Sequence, residues 1–231
     1  MIGIYIISAP SGSGKSTLVN EVRKIVSGLA FSVSYTTRAP RGSEQNGQEY
    51  YFVSDTEFDD MLRRDEFLEH ADVHGKRYGT ARRFLREATE TNRDLLLDIY
   101  VQGAAQIKEK LPEAVSIFIL PPNRQILEWR LRKRSEDSEE TIQRRMATAT
   151  REIENYPKYD YILVNDRLEE STECLRSVLL AERFKRTGSL GATPDPGILT
   201  LAERCRLENV QERLKPILDS FRSSDGAAGS S

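Results

Sequence analysis

Residues 4–17 read IYIISAPSGSGKST, and the stretch from Ala9 to Thr17 has the residue types and spacing to hold a polyphosphate. An apolar run ends at Ser8. A loop of Ala9, Pro10, Ser11, Gly12, Ser13 and Gly14 follows, and Lys15, Ser16 and Thr17 open a segment of helical period. Gly12 and Gly14 let the backbone turn its N–H groups inward around phosphate oxygens. The helix N-terminus adds partial positive charge. Lys15 reaches the β- and γ-phosphates, and the Ser16 hydroxyl can ligate Mg²⁺. The pattern G-x-x-x-x-G-K-[ST] is met except at its first position, where Ala9 stands and only a small residue is needed. The loop predicts binding of a nucleoside triphosphate.

A second stretch, SVSYTTRAPRG at 32–42, is dense in hydroxyls and carries Arg38 and Arg41 on either side of Pro40. Two guanidinium forks can clamp one phosphate bidentately, which lysines do less well. Tyr50 and Tyr78 offer hydroxyls to complete the cage. One loop for a triphosphate and a second for another phosphate point to a phosphotransferase with a phosphorylated acceptor.

These groups need a scaffold. The apolar runs 2–7, 95–99, 115–120 and 161–164 are rich in Ile, Leu and Val without strict alternation, as in strands buried on both faces of a parallel sheet. Helical periods lie between them; after Lys15, the residues Leu18, Val19, Val22, Ile25 and Val26 form one stripe. The expected fold is α/β, a P-loop NTPase-type parallel sheet flanked by helices. Residues 34–80 read as a small, partly β insertion with a short helix near 56–64. Residues 123–156 are densely charged and read as two helices joined by an exposed turn, the second capped by Asp137 or Ser138.

Composition narrows the rest. The 231 residues are 38% hydrophobic and 30% charged, with a net charge of −2, which suits one globular domain with a real core. No basic excess points to nucleic acid, and no apolar stretch is long enough to span a membrane. The N-terminus runs straight into a strand and has no signal-peptide character. Cys174 and Cys205 lack metal-ligand spacing and read as ordinary helix residues in a reducing cytoplasm. His70 and His74, in a polar insertion, need no catalytic role.

The ordered motifs then resemble the guanylate kinases over roughly residues 1–185. They are the P-loop at 9–17, S-x-T-T-R-x-P-R-x-x-E at 34–44, N-G-x-x-Y-x-F at 46–52, F-L-E at 67–69, Y-G-T at 78–80, D-I-x-x-Q-G at 98–103 and V-N-D at 164–166. The resemblance implies transfer of the γ-phosphate of ATP to GMP, with Mg²⁺ as cofactor and a monomer or homodimer as the working form. It implies that Arg38, Arg41, Tyr50 and Tyr78 hold the GMP phosphate and that Ser34, Glu69 and Thr80 read guanine. A carboxylate at Glu69 can accept from guanine N1–H and the 2-amino group together, whereas adenine leaves it unpaired. Asp98 would lie near Mg²⁺ and substrate, Arg134 and Arg145 would be the lid arginines over the transferring phosphoryl group, and Asn165 would lie near the adenine or cap the strand end. Arg130, Arg132, Lys133 and Arg144 read as a solvated helix face. The family usually shows a second acid where this chain has Tyr100.

The resemblance divides the chain into a kinase-like domain, 1–186, with core 1–33, 81–122 and 157–186, the GMP-binding insertion 34–80 and the lid 123–156. Beyond it, 187–198 has linker composition, 199–221 reads as one helix opened by a Thr200/Glu203 capping box, and 222–231 reads as a disordered tail. That helix is expected either to pack on the core or to mediate self-association. Two other functions compete. A kinase for a ribose phosphate would have no use for Ser34, Glu69 and Thr80, and a catalytically impaired phosphopeptide-binding module would not need Lys15, Ser16, Arg134 and Arg145.

Overall fold

The computed structural model describes residues 2–73, 75–134, 138–188 and 195–222, with the side chain of Arg134 outside that description. His74, Asp137, residues 189–194 of the expected linker and residues 223–231 also lie outside it. The chain divides into two compact units, Met1–Ser8 with Val26–Ser116, and Ala9–Ile25 with Ile117–Ser231.

In the first unit, strand β7 (Asp94–Asp98) lies between β2 (Leu29–Ser32) and β1 (Ile4–Ser8), all parallel. Leu96 pairs with Tyr5 on one side and Phe31 on the other. Ile6, Ile7, Leu95, Leu96 and Leu97 are all buried, which accounts for their lack of polar alternation. A smaller sheet has the order β4-β3-β6-β5, built from β3 (Tyr35–Thr36), β4 (Tyr51–Phe52), β5 (Phe67–Val73) and β6 (Lys76–Ala81). Helix α2 (Asp55–Arg63) starts at Ser54, which forms a capping box with Glu57, so the helix seen in the sequence near 56–64 begins one residue earlier. Helices α3 (Arg82–Glu90) and α4 (Val101–Lys110) pack on the strands of this unit, α3 against β7 and α4 against β1 and β5.

In the second unit, helix α1 (Lys15–Ile25) follows the glycine loop and buries Leu18, Val19 and Val22. Ile25, assigned to the same stripe, is 52% exposed and is the last residue of the helix. Strand β8 (Val115–Leu120) pairs in parallel with β9 (Tyr161–Val164). Helices α5 (Arg124–Arg134) and α6 (Glu139–Ile153) form the charged hairpin, and Ser138 caps α6 by accepting from Thr141 N–H at 3.3 Å. Helix α7 (Leu168–Thr187) packs on α1.

The C-terminal extension is two helices, not the single one expected over 199–221. Helix α8 (Pro196–Arg204) opens three residues earlier, capped by Asp195, which accepts from Gly197 N–H at 2.6 Å. Thr200 and Glu203 are therefore inside it and make no capping box. Helix α9 (Leu207–Arg222) continues after a bend and takes in Arg222, assigned to the tail. Pro216 sits within α9. The bend is fixed to β9: Ile162 N–H donates to the Cys205 carbonyl at 2.8 Å, Leu207 N–H to that of Asp160 at 3.1 Å, and Arg206 forms a β-bridge with Tyr161. The extension thus covers a strand edge that would otherwise invite pairing with another chain. It packs on its own unit through Val210, Leu214, Ile217 and Phe221, all buried. Among the described residues no helix is long and apolar enough to cross a membrane.

If this packing stabilises the unit, Leu214→Ala should cost about 2–4 kcal/mol and lower Tm by roughly 5–15 °C. Thermal unfolding checks this; a shift within about 1 °C would show the extension to be a passive appendage.

Candidate functional site

The residues singled out in the sequence fall into two half-sites, one in each unit. In the second unit, the glycine loop bends at Gly12 (φ +91°) and Gly14 (φ +84°), conformations that L side chains rarely adopt. A methyl group at Gly14 would also overlap Asn165 Nδ2. The first helical bond runs from Leu18 N–H to the Gly14 carbonyl at 3.1 Å. The first N–H groups of an α-helix have no acceptor inside it, so the first turn of α1 has the make-up of an anion cradle.

Asn165 has a definite place. Its Nδ2 donates to the Ser13 carbonyl at 2.7 Å, and its backbone N–H donates to the Leu120 carbonyl at 2.8 Å. It ties the end of β9 to the loop. Arg130 is not a solvated helix residue: Nη1 and Nη2 both donate to the Asn165 carbonyl at 3.0 Å. Its neighbours fit the bland reading better. Arg132 bridges Glu128 and Glu139 on the exposed surface, and Lys133 lies over the exposed Trp129 ring. Arg145 reaches the loop, donating Nη2 to Ser11 Oγ at 3.0 Å. The Arg134 side chain lies outside the described part.

The sequence reading missed Glu152. This α6 residue is 8% exposed, accepts from Ser11 N–H and lies close enough to Lys15 to feel its charge. Burial raises its carboxyl above the ordinary range, with Lys15 and the Ser11 N–H pulling the other way. Helix α6 thus holds Ser11 twice, by its hydroxyl through Arg145 and by its amide through Glu152. Only a helical spacing of seven from Arg145 hinted at this.

In the first unit, Arg38 makes a fork with Glu44, Nη1 to Oε2 at 2.9 Å and Nη2 to Oε1 at 3.0 Å. Glu44 also accepts from Arg41 N–H at 2.8 Å. Burial would raise the Glu44 carboxyl, but Arg38 and the Arg41 amide hold it below the ordinary range. Glu44 stood in the quoted motif with no role assigned. Arg38 also lies 5.2 Å from the Tyr50 ring centre, and Tyr50 meets Tyr78 edge-on at 5.8 Å. Burial raises the Tyr50 hydroxyl, and the nearby Asp98 charge raises it further. Arg38, Tyr50, Tyr78 and Asp98 are therefore brought together. Arg41 is exposed and joins only through its backbone.

Glu69 and Thr80 face each other across β5 and β6, with Thr80 Oγ1 donating to Glu69 Oε1 at 2.6 Å. Glu69 is 4% exposed. Burial pushes its carboxyl up to about 7, against the pull of Thr80 and Lys110. The sign follows from linkage: this carboxyl favours the folded state fully below its ordinary 4.5, and that contribution is lost as pH rises through about 7. Gly103 on α4 is the floor beneath Glu69, since a methyl group there would overlap Oε2. Gln106 and Lys110 of the same helix bond the carbonyls of His70 and Leu68 at 2.6 and 2.7 Å, fixing β5 around Glu69. Ser34 is buried just ahead of β3, and His70 is exposed.

A guanylate kinase family model matches residues 2–182. The chain belongs to the guanylate kinase family. It is 57% identical to a guanylate kinase of Koribacter versatilis over 224 residues, 96% of each chain. It is 47% identical to that of Escherichia coli K12 over 184 residues, 79% of this chain and 89% of the relative. A crystal structure of guanylate kinase from Anaplasma phagocytophilum matches with a TM-score of 0.65 at 32% identity, covering 87% of this chain and 94% of the other. Within this guanylate kinase scaffold, Tyr100 starts α4 and packs edge-on against Tyr78 at 5.0 Å. It joins the aromatic wall of the first half-site, so the position of the absent acid is used for packing.

Two outcomes follow from Glu69 and its floor. Gly103→Ala should displace the carboxylate and lower kcat/KM for GMP by about 10²-fold, with KM for ATP unchanged in steady-state kinetics. Wild-type kcat/KM for GMP should fall as pH drops below about 7, and Glu69→Gln should remove that limb; identical profiles would separate Glu69 from the base.

Proposed function

We propose that this chain is an ATP:GMP phosphotransferase, yielding ADP and GDP. The observation that carries the reading is the buried Glu69 bonded to Thr80, because an interior carboxylate needs donors and guanine supplies two. In this reading the sheet of 34–80 binds GMP and the hairpin of 123–156 is the lid, on a core of 1–33, 81–122 and 157–186.

Each residue then has a task. Lys15 and the amides of the loop from Ala9 to Thr17 bind the ATP phosphates, and Asn165 holds the loop in shape. Arg38, Arg41, Tyr50 and Tyr78 grip the GMP phosphate, with Glu44 keeping the Arg38 fork oriented. Ser34, Glu69 and Thr80 read the base. Arg134 and Arg145 neutralise charge that develops on the transferring group and help exclude water. No base is assigned, since the acceptor is already an anionic phosphate oxygen and a loose transition state rests on alignment and charge neutralisation.

The donors fit Mg²⁺ shared with substrate. Among the described residues no cluster of three His, Cys, Asp or Glu can cage a metal, whereas Mg²⁺ typically binds one or two protein oxygens plus phosphates and water. Ser16, with Asp98 nearby in the sequence-based assignment, would hold it. When bound, the ion supplies charge neutralisation at the phosphates.

A coupled assay of ADP release from ATP and Mg²⁺ tests the reading. GMP should be preferred over AMP by about 10⁴ in kcat/KM, with CMP, UMP and ribose 1,5-bisphosphate inactive. Lys15→Ala should lower kcat by at least about 10²-fold. Retained ATP binding without turnover of any acceptor would instead favour a binding module.

A further inference from the structure

The C-terminal extension brings together the two cysteines that the sequence reading took for ordinary helix residues. Cys174 lies in α7 and Cys205 closes α8, and both are free. The two helices pack side by side, and the thiols are hydrogen-bond partners. Cys205 is 3% exposed, while Cys174 is half-buried. The environment makes them unequal. The neighbouring Cys205 lowers the Cys174 thiol, helped by Arg213 and Arg204 and opposed by burial and Glu173. The hydrogen bond between the two, with burial, pushes the Cys205 thiol up. Arg204 and Arg213, which act on the Cys174 thiol, also line a cavity of about 490 Å³ with Leu199, Thr200, Glu203 and Asn209.

We propose that Cys174 and Cys205 are a modification site, a dithiol that a hydroperoxide converts to a disulfide strapping α8 to α7. A partly accessible thiol that its surroundings make more acidic, beside a resolving thiol, is the arrangement that sulfur oxidation selects. Cys174 sulfur attacks a peroxide oxygen, the O–O bond breaks, and the leaving oxygen departs as water with hydrogen peroxide, or as an alcohol with an organic peroxide. The resulting Cys174 sulfenic acid is attacked by Cys205 sulfur, the S–S bond forms and water leaves. Both sulfurs are oxidised by one electron each and the peroxide takes up both. The bond would also fix the bend at Cys205 and Arg206 that covers the β9 edge.

The test treats the reduced full-length protein with one equivalent of hydrogen peroxide and reads intact mass, maleimide-labelled thiols and a peptide map. Labelled thiols should fall from two to none. The monomer should lose about 2 Da with a Cys174–Cys205 cross-link, restored by dithiothreitol. Cys205→Ser should instead gain oxygen at Cys174 in steps of about 16 Da, which keeps the roles testable even if the disulfide alters the fold. Two thiols still labelled, oxygen gain without a cross-link in the wild type, or disulfide-linked dimers would each overturn the proposal.

Discussion

A carboxylate held in the interior is the constraint around which the first unit is built. An unpaired buried charge is costly, and the ordinary escape is protonation or a partner. Glu69 has two donors, the hydroxyl and the backbone N–H of Thr80, and a carboxyl raised to about 7. Two donors leave it short of the roughly four a carboxylate can accept. The missing donors are the physical form of specificity: a ligand that supplies them is favoured, and a ligand that does not leaves the charge stranded. Much of the unit serves this one group. Cross-strand pairing places Thr80, α4 brings Gly103 beneath it, and Gln106 and Lys110 of the same helix fasten β5.

The second unit follows a different logic, in which the backbone is the binding group and side chains hold it in shape. Ser13 is tied through its carbonyl to Asn165, the Asn165 carbonyl is tied to Arg130, and Ser11 is tied to α6 through Arg145 and Glu152. These bonds fix the loop before any phosphate arrives, which is what electrostatic preorganisation requires. The extension adds to the same unit from outside. Its bend is bonded to β9, the strand that leads into Asn165, and Ser220 Oγ of α9 accepts from Arg124 N–H at the start of α5 at 3.1 Å.

Much of this was legible in the sequence where chemistry and spacing coincide. The buried runs within 4–8 and 94–98 show as apolar stretches rich in Ile and Leu, and the loop at 9–17 shows by its glycines and Lys15. Glu69 and Thr80 were identified only through the family motifs, because no local period announces a pairing between residues eleven apart in sequence. Glu44 and Glu152 stayed silent because their meaning depends on which arginine or amide folding brings to them. Arg130 misled for a related reason: in a run of four cations, composition does not say which one turns inward. The start of α8 was misplaced because Thr200/Glu203 satisfies a capping pattern, yet Pro196 at the first turn with Asp195 before it is the stronger start signal.

The central claim, that Glu69 is the guanine reader and must be ionised to work, is most directly tested by the protons released on GMP binding. Calorimetric titration at pH 7 in buffers of different ionisation enthalpy measures them, for the wild type and for Glu69→Gln. With the free carboxyl near 7, GMP should drive off about half a proton more from the wild type than from the variant, and the difference should grow as pH falls. Equal proton release in both proteins, with affinity for GMP unchanged by the substitution, would contradict the account.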